Sequence, residues 1–315
     1  MFVASGCNEN SADRALRSRD RRWFTLRSKR SVAIVTALGL AMMAVSCSSD
    51  QRATGAPDST PETETAPLST GVSLPSGARY VALGSSFAAG TGVPQQAATC
   101  GRSDQNYPSL VAAQLELTLI DVSCSAATTA NVIDTPQGDA PAQISAVTPD
   151  TELVTVTVGG NDIGYSATAL QCGDPSTVCS VDQTKLETDL TKMKASLATL
   201  IDRVRAKAPS STVVLVTYPR VVPDQVCPAL SFTDDEAALI RDMGEKLESA
   251  FIEVAARTGV ILVDPYHAQG DHTVCAPAVA DRWTDGKVAT VGFPYHPTAT
   301  GHKAMASLVV DAMHG

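Results

Sequence analysis

Three short stretches of this 315-residue chain carry side chains suited to acyl transfer. The first, Gly84-Ser85-Ser86, closes an apolar run and opens into Phe87-Ala88-Ala89-Gly90. A serine at a sharp strand-to-helix turn presents its hydroxyl at the sheet edge, close to the free N–H groups of the next helix. The second, Val158-Gly159-Gly160-Asn161-Asp162-Ile163-Gly164, puts a primary amide at the end of another apolar run, where it can donate to developing negative charge. The third, Tyr295-His296-Pro297-Thr298-Ala299-Thr300-Gly301-His302, brings an imidazole to the start of the last helical segment, with Pro297 at a natural first helical position. Taken singly, each is the composition of an ordinary turn or cap. Taken together they supply a nucleophile, an anion-stabilising donor and a base, the parts of hydrolysis through a covalent intermediate.

These residues need a frame, and the hydrophobic pattern supplies one. Val-, Ile- and Leu-rich runs at Arg79–Gly84, Ile120–Cys124, Leu153–Gly159, Thr212–Tyr218 and Val260–Asp264 read as buried parallel strands. Helices are expected over Tyr107–Leu117, Pro141–Val147, Asp182–Ala206, Thr233–Thr258 and Pro297–Met313. In the third of these, Leu186, Leu190, Met193, Leu197, Leu200 and Val204 recur at three and four residues, one face of a helix. Alternating strands and helices imply an α/β fold, a three-layer sandwich with a five-stranded parallel sheet of flavodoxin-like type, whose chemistry belongs at the carboxyl ends of the strands. Ser86 and Asn161 both follow strands.

In order and spacing these blocks resemble the SGNH (GDSL-like) hydrolase superfamily, in particular its actinobacterial secreted lipase/esterase branch, from about Arg79 to the end of the chain. The resemblance implies a carboxylic ester hydrolase with Ser86 as nucleophile, although Ser85 stands where the family has Asp. It implies His296 as general base and an oxyanion hole made by the N–H of Ser86, the N–H of Ala126 and the side-chain amide of Asn161. Ala126, in Cys124-Ser125-Ala126-Ala127-Thr128-Thr129-Ala130-Asn131-Val132, takes the place of the family's glycine. The family's aspartate three residues before the histidine is replaced by Phe293, so the reading is a Ser86–His296 dyad whose imidazole is oriented by the Phe293 backbone carbonyl, with Asp285 as a more distant acid. No metal or other cofactor is implied.

Six cysteines fall in the domain, an even set that admits 15 connectivities in an exported chain. The related branch pairs neighbours in sequence, which implies Cys100–Cys124, Cys172–Cys179 and Cys227–Cys275. Asp264, His267 and His272 could be taken for a metal set, but their irregular spacing favours a loop lining a pocket. No CxxC pair suggests zinc. Tyr165 and Trp283 are expected as walls of an acyl pocket or as core, and His302 and His314 as solvent-facing.

The first 30 residues hold eight basic side chains against three acidic, so the remainder carries −14 of an overall −9. An acidic body argues against a nucleic-acid partner. After Arg27, Lys29 and Arg30 comes the uncharged stretch Ser31–Ser46, about 24 Å long as a helix and short of the ~30 Å hydrocarbon layer. Residues 1–47 therefore read as an export signal. Ala44-Val45-Ser46-Cys47 resembles a lipobox, leaving two alternatives, lipidation of Cys47 with a membrane tether or plain cleavage nearby. Residues 48–77, rich in Ser, Thr, Pro and acid, read as a linker, and 78–315 as one hydrolase domain. The protein is thus expected to be exported, to act outside the cell or on the outer face of its envelope, and to be a monomer. A fatty-acyl ester is the first expectation for substrate. A carbohydrate-ester deacetylase and an inactive envelope binding protein are the alternatives.

Overall fold

A computed structural model of the protein describes residues 71–315 except 95, 98, 99, 290 and 291. The expected signal, linker residues 48–70 and Cys47 lie outside the described residues. Five parallel strands form one sheet: β1 (Arg79–Gly84), β4 (Thr118–Asp121), β5 (Thr151–Thr157), β6 (Thr212–Val216) and β7 (Ile261–Val263), in the spatial order β4-β1-β5-β6-β7. A two-residue antiparallel pair, β2 (Gln96–Ala97) and β3 (Arg102–Ser103), is an addition that the sequence did not announce.

The pleat sends alternate residues of β1 to opposite layers. Tyr80 and Ala82 pack with α2 (Tyr107–Gln114) and α8 (Ala299–His314), beside Val111, Met305 and Val309. Val81 and Leu83 face the other layer, where α3 (Thr129–Ile133), α5 (Gln183–Lys207) and α6 (Asp234–Thr258) bring Val132, Leu197, Leu247 and Phe251. The result is the expected three-layer α/β/α sandwich. Both long helices are started by side chains: Asp182 accepts from Lys185 N–H, and Thr233 with Glu236 forms a reciprocal capping box before α6. Gly259, in the left-handed conformation at φ 66°, ends α6.

Two elements differ from the sequence reading. The edge strand β4 begins and ends earlier than the expected Ile120–Cys124, because the Asp121 carboxylate accepts the N–H and hydroxyl of Ser123 and turns the chain out of the sheet. The helix expected at Pro141–Val147 is a single 3₁₀ turn at Gln143–Ala146. Residues 71–77, assigned to the linker, already lie against the domain: Val72 N–H donates to Met313 O at 2.7 Å, and Val72 and Leu74 pack beside α8. Among the described residues no helix is long and apolar enough to cross a membrane.

Candidate active site

The strand order reverses at β1, which has β4 on one side and β5 on the other, and the crevice at that point is where such sheets hold ligands. Ser86 opens the four-residue helix α1 (Ser86–Ala89) directly after β1. Its turn is tight: a Cβ on Gly84 would meet Ala88 Cβ at 2.6 Å and Thr157 O at 2.7 Å. The Gln143 side chain holds the same glycine at both ends, its Oε1 accepting Gly84 N–H at 2.8 Å and its Nε2 donating to Gly84 O at 2.9 Å. Gln143 is buried, and a two-point amide lock of this kind fixes the height of Ser86 above the sheet.

Ser86 Oγ lies 2.8 Å from His296 Nε2, across 210 residues of sequence. The other ring nitrogen, Nδ1, is 2.8 Å from the carbonyl oxygen of Pro294. A carbonyl only accepts, so Nδ1 carries the proton and Nε2 is left free to receive the serine hydroxyl's. The expected Phe293 carbonyl is not the orienting group. It accepts the backbone N–H of His296 at 3.1 Å, and Tyr295, at φ 57°, folds the chain so that the next carbonyl along, that of Pro294, meets the ring. The imidazole is buried between Phe87, at 4.6 Å between ring centroids, and the edge of Phe293, at 5.0 Å. Burial pushes its pKa down to about 4, with the Pro294 bond opposing the shift.

The two further donors come from neighbouring turns. Ala126 has φ 64°, the left-handed conformation that a glycine would adopt more cheaply. The amides on either side are taken, Ser125 N–H by Cys100 O and Ala127 N–H by Cys124 O, whereas those of Ala126 and Ser86 have no acceptor among the described residues. The Cys100–Cys124 disulfide, with Cα atoms 4.3 Å apart, fastens this turn. Asn161 Nδ2 donates to Ala127 O at 2.9 Å, which ties the amide to the Ala126 turn and leaves its second N–H available. Gly159, at φ 133°, makes the bend before it.

Sequence reasoning missed the group that joins the serine turn to the asparagine turn. Tyr218, just beyond β6, accepts Gly160 N–H at 3.0 Å and lies 3.2 Å from Ser85 Oγ, which in turn donates to Thr157 O at 3.5 Å. Ser85, where the family has an acid, is therefore a link in a neutral chain. The only signal was an aromatic residue at the carboxyl end of a strand. Asp285 is buried, and its backbone N–H donates to His296 O at 2.9 Å.

Other expected positions resolve as follows. Tyr165 is wholly core, packed against Gly244 of α6, and is no pocket wall. Trp283 stacks on His272, their rings 5.5 Å apart. His302 is buried, contrary to expectation, because its Nδ1 accepts Tyr107 N–H at 3.1 Å and so joins α8 to α2; His314 is exposed. The remaining disulfides are Cys172–Cys179 and Cys227–Cys275. Two clefts of about 320 and 270 Å³ meet at Asn161, Asp162 and Asp189.

The GDSL-like lipase/acylhydrolase family model matches residues 82–304, which contain every residue of this constellation. The chain belongs to that family. It is 30% identical over 257 residues to lipase 2 of Streptomyces coelicolor, covering 74% of this chain and 85% of that protein. Among solved structures, the extracellular lipase of Streptomyces rimosus superposes with a TM-score of 0.61 at 27% identity, covering 74% of this chain and 99% of that one. The phospholipase A1 of Streptomyces albidoflavus gives 0.59 at 28%, covering 76% and 100%. This family member is a carboxylic ester hydrolase.

Proposed function

We propose that the protein is an exported lipase or esterase that cleaves fatty-acyl esters through an acyl-enzyme on Ser86. The observation that carries the reading is the 2.8 Å contact of Ser86 Oγ with the unprotonated Nε2 of His296, whose Nδ1–H is committed to Pro294 O. In the first half-reaction Ser86 Oγ attacks the ester carbonyl as His296 Nε2 takes its proton. The carbonyl oxygen gains negative charge and is met by Ser86 N–H, Ala126 N–H and an Asn161 amide hydrogen. His296 then hands its proton to the departing alcohol as the C–O bond breaks. Water repeats the sequence on the acyl-enzyme, giving the free acid and restoring Ser86.

The Pro294 carbonyl orients the imidazole and carries no full charge. Stabilisation of the transient imidazolium therefore falls on that dipole and on the nearby oxyanion. Phe293, half-exposed and edge-on to His296, offers an apolar contact to an acyl chain. The lipase and phospholipase A1 names of the Streptomyces relatives favour long acyl chains for this site too. Three disulfides, and the extracellular lipase among the relatives, favour work outside the cytoplasm. Hydrolysis of p-nitrophenyl esters from acetate to palmitate tests the reading. It expects turnover that vanishes in Ser86→Ala and His296→Ala and rises with chain length; turnover confined to acetate would replace it with a deacetylase.

A further inference from the structure

The sequence grouped Asp264, His267 and His272, and the structure regroups them. His272 is turned away, its ring stacked on Trp283 and its Nδ1 3.1 Å from Asp281 O. In its place comes Glu248, from the buried face of α6. Glu248, Asp264 and His267 offer one ligand atom each, all within 4.8 Å of one another. We propose that these three side chains bind a first-row divalent cation of borderline softness, zinc being the probe of choice, which ties α6 to the turn after β7.

The geometry favours insertion of an ion with little movement. Around tetrahedral zinc, ligand atoms at ~2.0–2.2 Å lie ~3.4 Å from one another. Here His267 Nδ1 is 2.8 Å from Glu248 Oε1 and 3.7 Å from Asp264 Oδ2, on either side of that value. Asp264 and His267 are three apart at the start of α7 (Pro265–Ala268), so one turn presents both. Asp264 is also braced from behind: its Oδ1 accepts the hydroxyl of the buried Thr217 at 2.8 Å and His267 N–H at 3.3 Å, leaving Oδ2 to face the imidazole. Bracing of a ligand carboxylate by a second hydrogen-bonding group is what orients metal sites generally.

Charge points the same way. Among the described residues, the ion pairs of Glu248 and Asp264 are made with His267 alone. Arg220 is engaged elsewhere: its Nη2 donates to Gly270 O at 2.9 Å, its Nη1 lies 3.9 Å from Asp224 Oδ2, and its guanidinium sits over the Tyr266 ring. Two carboxylates, one of them buried, face one imidazole, so a cation seated between them would meet negative charge. One nitrogen with two carboxylate oxygens suits zinc or cobalt better than calcium, which takes oxygen ligands throughout. His267 is 81% exposed at its side chain, so the ion has an entry path and room for water in the remaining positions.

The test is calorimetric titration of zinc chloride into the metal-stripped, oxidised full chain, with thermal melts and the visible spectrum of a cobalt(II) form alongside. The expected result is one saturable equivalent of zinc, cobalt bands of low coordination number, and a melting temperature raised by roughly 5–10 °C at a hundredfold excess over Kd. His267→Ala, at an exposed side chain, should raise Kd at least about tenfold, as should Glu248→Gln. His272→Ala and His314→Ala should leave it unchanged, and ester hydrolysis should be the same in all four. The proposal is overturned by absence of saturable binding, by binding that survives His267→Ala, or by calcium binding as tightly as zinc.

Discussion

On the proposed mechanism, the burial of His296 sets how the enzyme should respond to acid. His296 must be neutral at Nε2 to accept the Ser86 proton, so activity is present above its folded pKa and is lost as pH falls through it. An ordinary histidine titrates near 6.5, whereas burial between Phe87 and Phe293 lowers His296 to about 4. At pH 5 a base of pKa 4 is about 90% neutral, while one of pKa 6.5 is only about 3% neutral. The free-enzyme profile, kcat/KM for a soluble short-chain ester between pH 3.5 and 8, should therefore retain most of its neutral value at pH 5 and reach half near pH 4. Folding must be followed in parallel by circular dichroism. His296 and His302 titrate in the fold near 4 and 3 but near 6.5 when unfolded, so the unfolded state binds more protons below pH 6.5. Each then destabilises the fold by up to ~1.4 kcal/mol per pH unit as pH drops, until it protonates in place. An acid limb centred near 6.5 in a protein still folded would refute the reasoning, since it would mean that the imidazole is hydrated or faces a carboxylate instead of Pro294 O. Asp285→Asn sharpens the contrast: it should leave the limb where it is and cost less than about tenfold in kcat, against ~10⁴-fold for loss of a triad aspartate.

Three further outcomes follow from the surrounding contacts. Asn161→Ala should lower kcat by about 10²–10³-fold with KM nearly unchanged, because its amide acts on charge that exists only in the transition state; steady-state kinetics on one ester decides. Tyr218→Phe leaves Gly160 N–H and Ser85 Oγ without their shared partner, which should cost about 1–3 kcal/mol in urea unfolding and lower kcat more than it changes KM. Replacing Cys100 and Cys124 together by Ser opens a loop spanning 24 residues beside Ala126; stability should fall by about 3–4 kcal/mol in denaturant melts, with turnover reduced in the surviving folded protein.

What the sequence could convey depended on whether a feature is local or assembled. The β1 strand appears over the expected Arg79–Gly84, and α5 and α6 within a residue of their expected starts, because apolar periodicity and side-chain caps are local signals. Ser86 and His296 were singled out by the resemblance of their blocks to the family, and the structure brings them within 2.8 Å of each other, but the carbonyl beside His296 was misplaced by one residue. That choice depends on Tyr295 adopting φ 57°, a backbone state that nothing in Phe293-Pro294-Tyr295-His296 announces. His302 looked like a solvent-facing helix residue because its partner, Tyr107 N–H, lies 195 positions away. Gln143, Tyr218 and Glu248 were invisible for the same reason. Each gains its role from a contact between elements that the sheet order brings together and that no short window of sequence contains.

The most direct test of the central claim is covalent. The full chain is treated with a fluorophosphonate, its intact mass is measured and the modified peptide is mapped. The account predicts one label per chain, on Ser86, with no labelling in Ser86→Ala and strongly slowed labelling in His296→Ala. Absence of label on folded, oxidised protein, or a label on any other serine, would contradict it.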